Sequence, residues 1–404
     1  NLLILALNYP RQFLGELNTV ALGVAAILSL PLWWLVTRIG LRQALLASAI
    51  CQAASALVFA WWPTPVPLLA GVALTGVAAV LFQVSAPPFM MQHSEPTARD
   101  HLFSANAAIN IGLAGVGSLL AGYLPALFGR LLGTGPESVI AYRATFAVAA
   151  AGLALSIVPL LLIRRYAGEV PEQEKPAETA NRLDTPPRKL LSSRLRLSDL
   201  LERIPASWRI LARHPGPLLR LLIPPFLISW GAALLIPYLN LYFKESFAIS
   251  DQVLGQIFAA LGVTTGLAAL IGPMISRRIG KIGTVALTQL LSIPFLLMLG
   301  FMPLLYVAIG AALMRAALFN AGSPLYDAFA MERTEDHARP LVIGLINGAY
   351  SVGYLAAPQI STFVQERYGF QPLFVVTATC YSFAALANYW LFIRPERKRP
   401  RSTP

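Results

Sequence analysis

Apolar residues dominate eleven stretches of the chain, each about as long as the twenty or so residues that a helix needs to cross the hydrocarbon core of a bilayer. In hydrocarbon, backbone polar groups must be paired within the protein, so the spanning segments are helices or the strands of a closed barrel. A barrel strand alternates polar and apolar residues over about ten positions, and these stretches do not. The pattern therefore predicts an all-α integral membrane protein. The predicted crossings are 13–36, 43–61, 66–91, 104–128, 143–163, 218–243, 252–275, 283–302, 304–331, 340–364 and 371–393.

The two halves of the sequence repeat each other. An offset of 237 residues aligns identical residues through two predicted helices and the loop between them. The aligned pairs include Leu81 with Leu318, Phe82 with Phe319, Pro87 with Pro324, Glu95 with Glu332, and Asn110 with Asn347. Parallel repeats of this kind are typical of two-half transporters. If the halves match, residues 1–9 are the end of a first helix that is truncated in this chain, and the full number of crossings is twelve.

Composition supports the membrane assignment and limits the kinds of partner that the protein is expected to bind. Hydrophobic residues make up 56% of the chain and charged residues 12%, with a mean hydropathy of +0.62, whereas a soluble domain is about 25% charged. The net charge of +12 would be compatible with nucleic acid, but the charges lie in short links and one central segment, where an anionic leaflet attracts them. We therefore expect a lipid bilayer and no nucleic acid as partner, and no cofactor.

The distribution of Lys and Arg predicts the orientation. Most of the 31 lie in the central segment, the C-terminal tail and four short loops that would share one side of the membrane. The exceptions are Arg315, inside a helix, and five residues on the other side, namely Arg11, Arg130, Arg143, Lys244 and Arg367. By the positive-inside rule, the central segment and the C-terminus are predicted to be cytoplasmic. The membrane that we expect is the plasma (inner) membrane.

The predicted domains follow from these patterns. They are an N-terminal half bundle (1–163), a cytoplasmic linker (164–217), a C-terminal half bundle (218–393) and a basic tail (394–404). Within the linker, apolar residues recurring among arginines predict helical pieces lying on the membrane surface. A solvated basic linker is the alternative.

A basic turn with a glycine joins the second and third crossings of each half, at Arg38-Ile39-Gly40 and Arg278-Ile279-Gly280. Gly40 and Gly280 allow the positive φ of a sharp turn, and the arginines anchor it at the headgroups. These loops are similar to the Gly-x-x-x-Asp-Arg-x-Gly-Arg-Lys pattern of the major facilitator superfamily, although Thr37 and Arg277 replace the acidic residue.

The two six-helix halves and the long link also resemble that superfamily, so the whole chain is covered. The resemblance implies two parallel-repeat bundles that alternate access to a central site, with these loops helping to hold one conformation. Glu95 and Glu332 are the acids that would partner the basic turns. A topological anchor without a gating role is the other interpretation.

The fifth helix carries Gly112, Gly115, Gly117 and Gly122, and it is similar to the glycine-rich stripe of the family's antiporters, with Ser118 where those usually have proline. Small residues allow helices to approach closely, as a sliding interface between the halves requires. Simple tight packing explains the same pattern. Pro87, Pro88 and Pro324 are expected to interrupt the fourth and tenth helices at corresponding places, as sites of gating or of static kinks.

Arg315 is the clearest candidate for chemistry, because an ionisable residue in the middle of a membrane helix is costly and usually functional. Its guanidinium would bind a carboxylate or phosphate through two hydrogen bonds. A structural interhelical ion pair and snorkelling to the interface are the alternatives. Asp327 lies about 18 Å further along the helix, too far to pair with it. Asp327 and Glu16 are candidates for proton coupling, since buried acids titrate nearer neutrality.

In the superfamily, the first, fourth, seventh and tenth helices line the central cavity. The resemblance therefore implies a set of lining residues. They are Gln83 and Ser85 on the fourth helix, Trp230, Tyr238, Asn240 and Tyr242 on the seventh, and Arg315, Asn320, Tyr326 and Asp327 on the tenth. The aromatic residues with polar tips would suit amphipathic ligands.

No enzyme site is recognisable, and no phosphate-binding Gly-x-x-x-x-Gly-Lys-Ser/Thr motif indicates ATP-driven transport. We expect a monomeric secondary transporter that exports an amphipathic or organic-anionic small molecule. Coupling to protons is a hypothesis that rests on Asp327 and Glu16. A lipid or lysolipid translocator and a transporter for uptake of a sugar-like solute are competing predictions. A non-transporting scaffold or sensor on the same fold is the alternative of a different class.

Overall fold

The computed structural model describes residues 1–92, 99–162, 215–334 and 339–395, and the regular elements of these ranges are helices. The helices are α1 (Leu2–Ala6), α2 (Arg11–Ile39), α3 (Leu41–Trp61), α4 (Pro65–Gln92), α5 (Arg99–Leu131), α6 (Val139–Leu155), α7 (Ile157–Leu162), α8 (Pro215–Leu235), α9 (Leu239–Phe247), α10 (Asp251–Ile279), α11 (Lys281–Phe301), α12 (Leu305–Glu332), α13 (Arg339–Tyr368) and α14 (Gln371–Asn388). A 3₁₀ turn (Ile236–Tyr238) joins α8 to α9, and a π-helical turn (Tyr389–Ile393) follows α14. The predicted surface helices of the linker lie outside the described residues.

The predicted all-α membrane fold is confirmed. Each of the eleven predicted crossings coincides with a helix or a pair of consecutive helices. Within the described residues, nine helical segments are long and apolar enough to span a membrane, and α10, which bends by 41° near its middle, makes ten. The remaining predicted crossing is α13, whose Ser, Asn, Gln and Glu residues make it less apolar than its neighbours.

The helix breaks do not fall where the prolines predicted them. Helices α4 and α12 continue through Pro87, Pro88 and Pro324. Breaks lie instead in the predicted crossing 218–243, where Pro237 sits in the 3₁₀ turn between α8 and α9, and in the crossing 143–163, where Ser156 separates α6 from α7. A membrane helix tolerates proline when neighbouring groups satisfy the freed backbone, so proline alone does not locate a break.

The two interhelical turns have the geometry that their sequences predicted. Gly40 ends α2 with φ of 89°, and Gly280 ends α10 with φ of 78°. Side chains other than glycine rarely adopt this region, so each glycine lets one helix stop and the next begin within a single residue. The paired turns place α2/α3 and α10/α11 in corresponding positions of the two halves.

The halves touch along two helix pairs, and both contacts are closest at the end of the bundle opposite the linker. The linker end is our name for the end of the bundle that carries Leu162 and Pro215, the described residues on either side of the linker. On α5, a Cβ added to Gly122 would lie 2.5 Å from the backbone oxygen of Asp251 on α10. A Cβ at Gly115 would be 3.8 Å from the Ala259 oxygen, and one at Gly112 would meet nothing within 4 Å. The helices therefore diverge towards the linker end.

The second pair, α2 and α13, diverges in the same direction. A Cβ on Gly15 would lie 2.6 Å from the Thr362 hydroxyl, whereas one on Gly23 would have as its nearest neighbour a Leu355 methyl at 3.5 Å. Further towards the linker end, Ile27 is 75% exposed and Gly348 has open space around its Cα. The halves are thus closed at the opposite end and separated at the linker end.

Replacing Gly122 by leucine should prevent this closure, because the side chain would overlap the α10 backbone and no flexible neighbour can yield. In Gly122→Leu, spin labels at Gln12 and Ser246, both exposed at the opposite end, should move further apart than in the parent protein. Gly117→Leu is the matched control, since its Cβ would meet nothing within 4 Å. Equal label distances in the two variants would contradict the assigned interface.

Candidate functional site

Arg315 lies inside the C-terminal half at the middle of α12 and is 8% exposed. Its Nη2 donates a hydrogen bond of 2.8 Å to the hydroxyl of Tyr381 on α14. Its Nε is buried and has no hydrogen-bond partner. A guanidinium has five N–H donors and no acceptor, so a single phenol oxygen leaves most of its bonding capacity unused.

Aromatic rings frame the charge. The guanidinium carbon lies 5.3 Å from the ring centroid of Phe319 and 5.8 Å from that of Tyr381, and the two rings stack on each other at 5.2 Å. These distances suit cation–π attraction, which is stronger when the cation is desolvated. Tyr354 on α13 lies near Arg315, and Tyr350 is one turn away on the same face. We call Arg315, Phe319, Tyr354 and Tyr381 the arginine site.

The arginine site lacks the carboxylate that a structural ion pair would need. Among the described residues, no Asp or Glu oxygen lies within 4 Å of the Arg315 guanidinium. Breaking a buried ion pair leaves an uncompensated charge at a cost of about 3–5 kcal/mol, so a buried arginine ordinarily keeps a counter-ion. Within the described part of the chain, Arg315 is therefore a buried cation without a counter-ion.

The other candidates on α12 differ in their surroundings. Asn320 is half-buried and its amide donates to the Ala316 carbonyl of its own helix. Tyr326 is buried and its hydroxyl donates to the Leu221 carbonyl at 2.8 Å, which ties α12 to α8. Asp327 is half-buried and interacts electrostatically with Tyr350 of α13. Of these three, Asp327 keeps an ionisable group available for chemistry.

The candidates on the seventh crossing lie at the closed end or pack in the core. Tyr238 is fully buried, its hydroxyl donating to the Pro358 carbonyl at 3.3 Å and accepting from the Asn18 amide at 3.4 Å. Asn240 accepts a hydrogen bond from the Asn1 amide at 3.0 Å. Trp230 packs against the main apolar core beside Phe226. Tyr238 and Asn240 therefore join the halves.

The remaining candidates are exposed or near a loop. Gln83 and Glu16 are exposed on α4 and α2. At the linker end, the Arg38 guanidinium stacks over Trp34 at 3.9 Å, and Arg278 is exposed. Glu332 reaches the second basic turn, where it pairs with Lys281. Glu95 lies outside the described residues.

A polar cluster that sequence reasoning missed holds the closed end. Lys244 of α9 pairs with Asp251 at the start of α10 and with Glu137 of the N-terminal half at 2.8 Å. Tyr142 on α6 donates a short hydrogen bond to Asp251, which is 5% exposed. Arg11 and Glu245 form a second salt bridge between the halves, at 2.8 Å. We call Glu137, Tyr142, Lys244 and Asp251 the gate cluster.

The comparisons with known proteins agree with this arrangement. The model of the Major Facilitator Superfamily matches residues 2–230 and again 221–404. No curated protein matches the sequence. Solved structures with a similar fold include a bacterial homologue of the human lysosomal transporter Spinster in an inward-facing, occupied conformation, with 13% identity over 100% of this chain and 94% of that one and a TM-score of 0.71.

Two further structures share the fold. One is a nucleoside transporter, with 14% identity over 97% of this chain and 93% of that one and a TM-score of 0.69. The other is a D-xylose-proton symporter, with 16% identity over 94% of this chain and 87% of that one and a TM-score of 0.68. At these identities the likeness establishes the fold.

Removal of Lys244 should destabilise the protein more than removal of Arg11. Lys244→Ala leaves the buried Asp251 carboxylate without its cation, at a cost of about 2 kcal/mol or more. The Arg11–Glu245 pair is about 30% exposed, so Arg11→Ala should cost only about 0.2–1 kcal/mol. Thermal unfolding in detergent measures both effects.

The double variant Lys244→Ala/Asp251→Asn controls for the buried charge and should recover part of the lost stability. Equal losses of thermal stability in Lys244→Ala and Arg11→Ala would show that the gate cluster is not the main polar contact that stabilises the closed end.

Proposed function

Because the chain belongs to the major facilitator superfamily, we propose that it is a secondary transporter that moves a small organic anion by alternating access, with Arg315 binding the anionic group. The observation that carries the proposal is the buried guanidinium, which donates to one phenol, is framed by aromatic rings and has no carboxylate from the described residues within 4 Å. A carboxylate or phosphate on the substrate would supply the missing counter-ion.

The opening between the halves supports alternating access. If the linker lies in the cytoplasm, as the Lys and Arg distribution predicts, the arrangement is closed to the outside and open to the inside. Transport would then require the gate cluster and the α5–α10 contact to separate while the linker ends approach. The inward-facing conformation of the Spinster homologue is consistent with this interpretation.

Aromatic residues around Arg315 favour a substrate with an apolar body. Phe319, Tyr354 and Tyr381 offer rings to a hydrophobic group while the guanidinium holds the charge. Export is the direction we propose, because the glycine-rich α5 is similar to the glycine stripe of the family's antiporters. Gly115 and Gly122 of this helix lie where the halves would slide. A lysophospholipid presents the same combination of anion and apolar chain.

Asp327 is the group that we propose for proton coupling. It lies about 18 Å from Arg315 towards the linker end, half-buried beside Tyr350. A carboxyl that is buried in one conformation and hydrated in the other changes its proton affinity during the cycle. Glu16 is exposed in this conformation, which makes it the weaker candidate.

Substitution of Arg315 should abolish recognition of anions. We expect Arg315→Ala to lose thermal stabilisation by organic carboxylates, organic phosphates and a lysophospholipid, and Arg315→Lys to keep part of it, because an ammonium supplies the charge without the bidentate geometry. Tyr381→Phe is the control that removes one hydroxyl and keeps the charge. Each acidic probe is compared with its neutral amide or ester. If Arg315→Ala is stabilised by the acid over the neutral compound as strongly as the parent protein is, Arg315 does not recognise the anion.

Substitution of Asp327 should separate binding from coupling. In proteoliposomes, the Asp327→Asn variant should still exchange substrate across the membrane. It should no longer drive accumulation of substrate in the vesicles when a pH gradient is imposed. Glu16→Gln, which removes an exposed carboxyl, should accumulate it normally. Retained gradient-driven accumulation in Asp327→Asn would exclude this residue as the coupling group.

A further inference from the structure

A basic cleft lies on the C-terminal half at the linker end, away from the arginine site. It encloses about 1270 Å³ between α10, α11, α12 and the π-helical turn. Three cations line it, namely Arg277, Lys281 and Arg333, together with one acid, Glu332. Arg277 is exposed and, within the described ranges, has no carboxylate within 4 Å. Among the described residues that line the cleft, three cations thus stand against one acid.

The rest of the cleft is apolar and faces outward. Leu287 and Leu290 of α11 lie on one face and are 43% and 46% exposed. Tyr389 and Ile393 of the π-helical turn form the other wall. Nine residues separate Lys281 from Leu290, or about 14 Å along the helix axis, so the apolar wall runs from the cations into the depth of the membrane.

Two of the cations in this cleft, Arg277 and Lys281, have no basic counterpart at the corresponding positions of the N-terminal half. In the repeat alignment, Arg38-Ile39-Gly40 corresponds to Arg278-Ile279-Gly280 at an offset of 240 residues. At the same offset, Thr37 stands opposite Arg277 and Leu41 opposite Lys281. The fold of the turn requires only the glycine, so the additional cations have no role in forming it.

We propose that this basic cleft binds one anionic phospholipid, with the phosphodiester at Arg277, Lys281 and Arg333 and an acyl chain along Leu287 and Leu290. The guanidinium of Arg333 stacks over Phe329 at 4.5 Å, which holds it at the mouth of the cleft. Basic residues at an anionic membrane surface each contribute about 1 kcal/mol to binding. Glu332 opposes the headgroup and limits the affinity. The inference is independent of the proposed substrate.

Native mass spectrometry tests the proposal on purified protein in detergent with an equimolar mixture of dioleoylphosphatidylglycerol and dioleoylphosphatidylcholine. The parent protein should retain one phosphatidylglycerol in preference to phosphatidylcholine. Arg277→Gln should lower this preference about fivefold, and Arg277→Gln/Arg333→Gln further. Glu332→Gln should raise it, because Lys281 is released from its ion pair.

Arg38→Gln is the matched control, since it removes one charge from the corresponding turn of the N-terminal half and should leave the preference unchanged. Millimolar inorganic phosphate and glycerophosphate should not displace the lipid. An equal loss in Arg277→Gln and Arg38→Gln would mean a non-specific lipid belt. Displacement by phosphate would mean an anion site without a role for the acyl chain. Either result would overturn the proposal.

Discussion

The backbone contact between α5 and α10 is the constraint on which the state of the whole molecule depends. Gly122 and Gly255 approach so closely that a Cβ on either would overlap the other helix. Helices in lipid gain little from the hydrophobic effect when they associate, so contact between small residues and polar bonds must hold them together. With this contact made at one end, the two rigid halves separate at the other.

The gate cluster strengthens the same end by a different physical mechanism. Lys244 and Asp251 are brought together within the C-terminal half, while Glu137 and Tyr142 reach them from the other half. Opening would expose these groups to water, which can hydrate them. The glycine contacts that are lost on opening are not replaced by water in this way. Helix packing therefore determines which conformation is favoured, and the charged groups adjust how strongly it is favoured.

Arg315 differs from the gate cluster in that its buried charge is not fully partnered within the described protein. The gate charges find partners within the protein, whereas the guanidinium of Arg315 keeps an unbonded Nε in the interior of the C-terminal half. Aromatic rings lower the cost of this burial but do not neutralise the charge. A site that is incompletely satisfied when empty gains the most free energy from a ligand that completes it. This difference in partners distinguishes Arg315 from the paired charges of the gate cluster.

The sequence predicted the features that depend on length, periodicity and backbone geometry. The crossings, the two halves and the positive φ of Gly40 and Gly280 follow from hydrocarbon thickness and from steric limits on side chains. Side-chain partners that come together from distant parts of the chain were not predictable in this way. Tyr381 lies 66 residues from Arg315, and no periodic pattern connects them.

One signal for the gate was nevertheless present in the sequence. Three of the five cations that depart from the Lys and Arg bias make polar contacts at the opposite end. Lys244 and Arg11 join the halves, and Arg143 donates to the Ala60 and Trp61 carbonyls at the end of α3. A charge that breaks the topological rule is more informative than the many that follow it. Proline was the less reliable guide, because a continuous helix accommodates it.

The most direct test of the central claim is an experimental structure of the protein with the tightest-binding organic anion from the probe panel. Our account predicts an acidic oxygen of the ligand within hydrogen-bonding distance of the Arg315 guanidinium, with its apolar part against Phe319 and Tyr354. A ligand bound elsewhere, with Arg315 paired to a carboxylate of the protein, would contradict it.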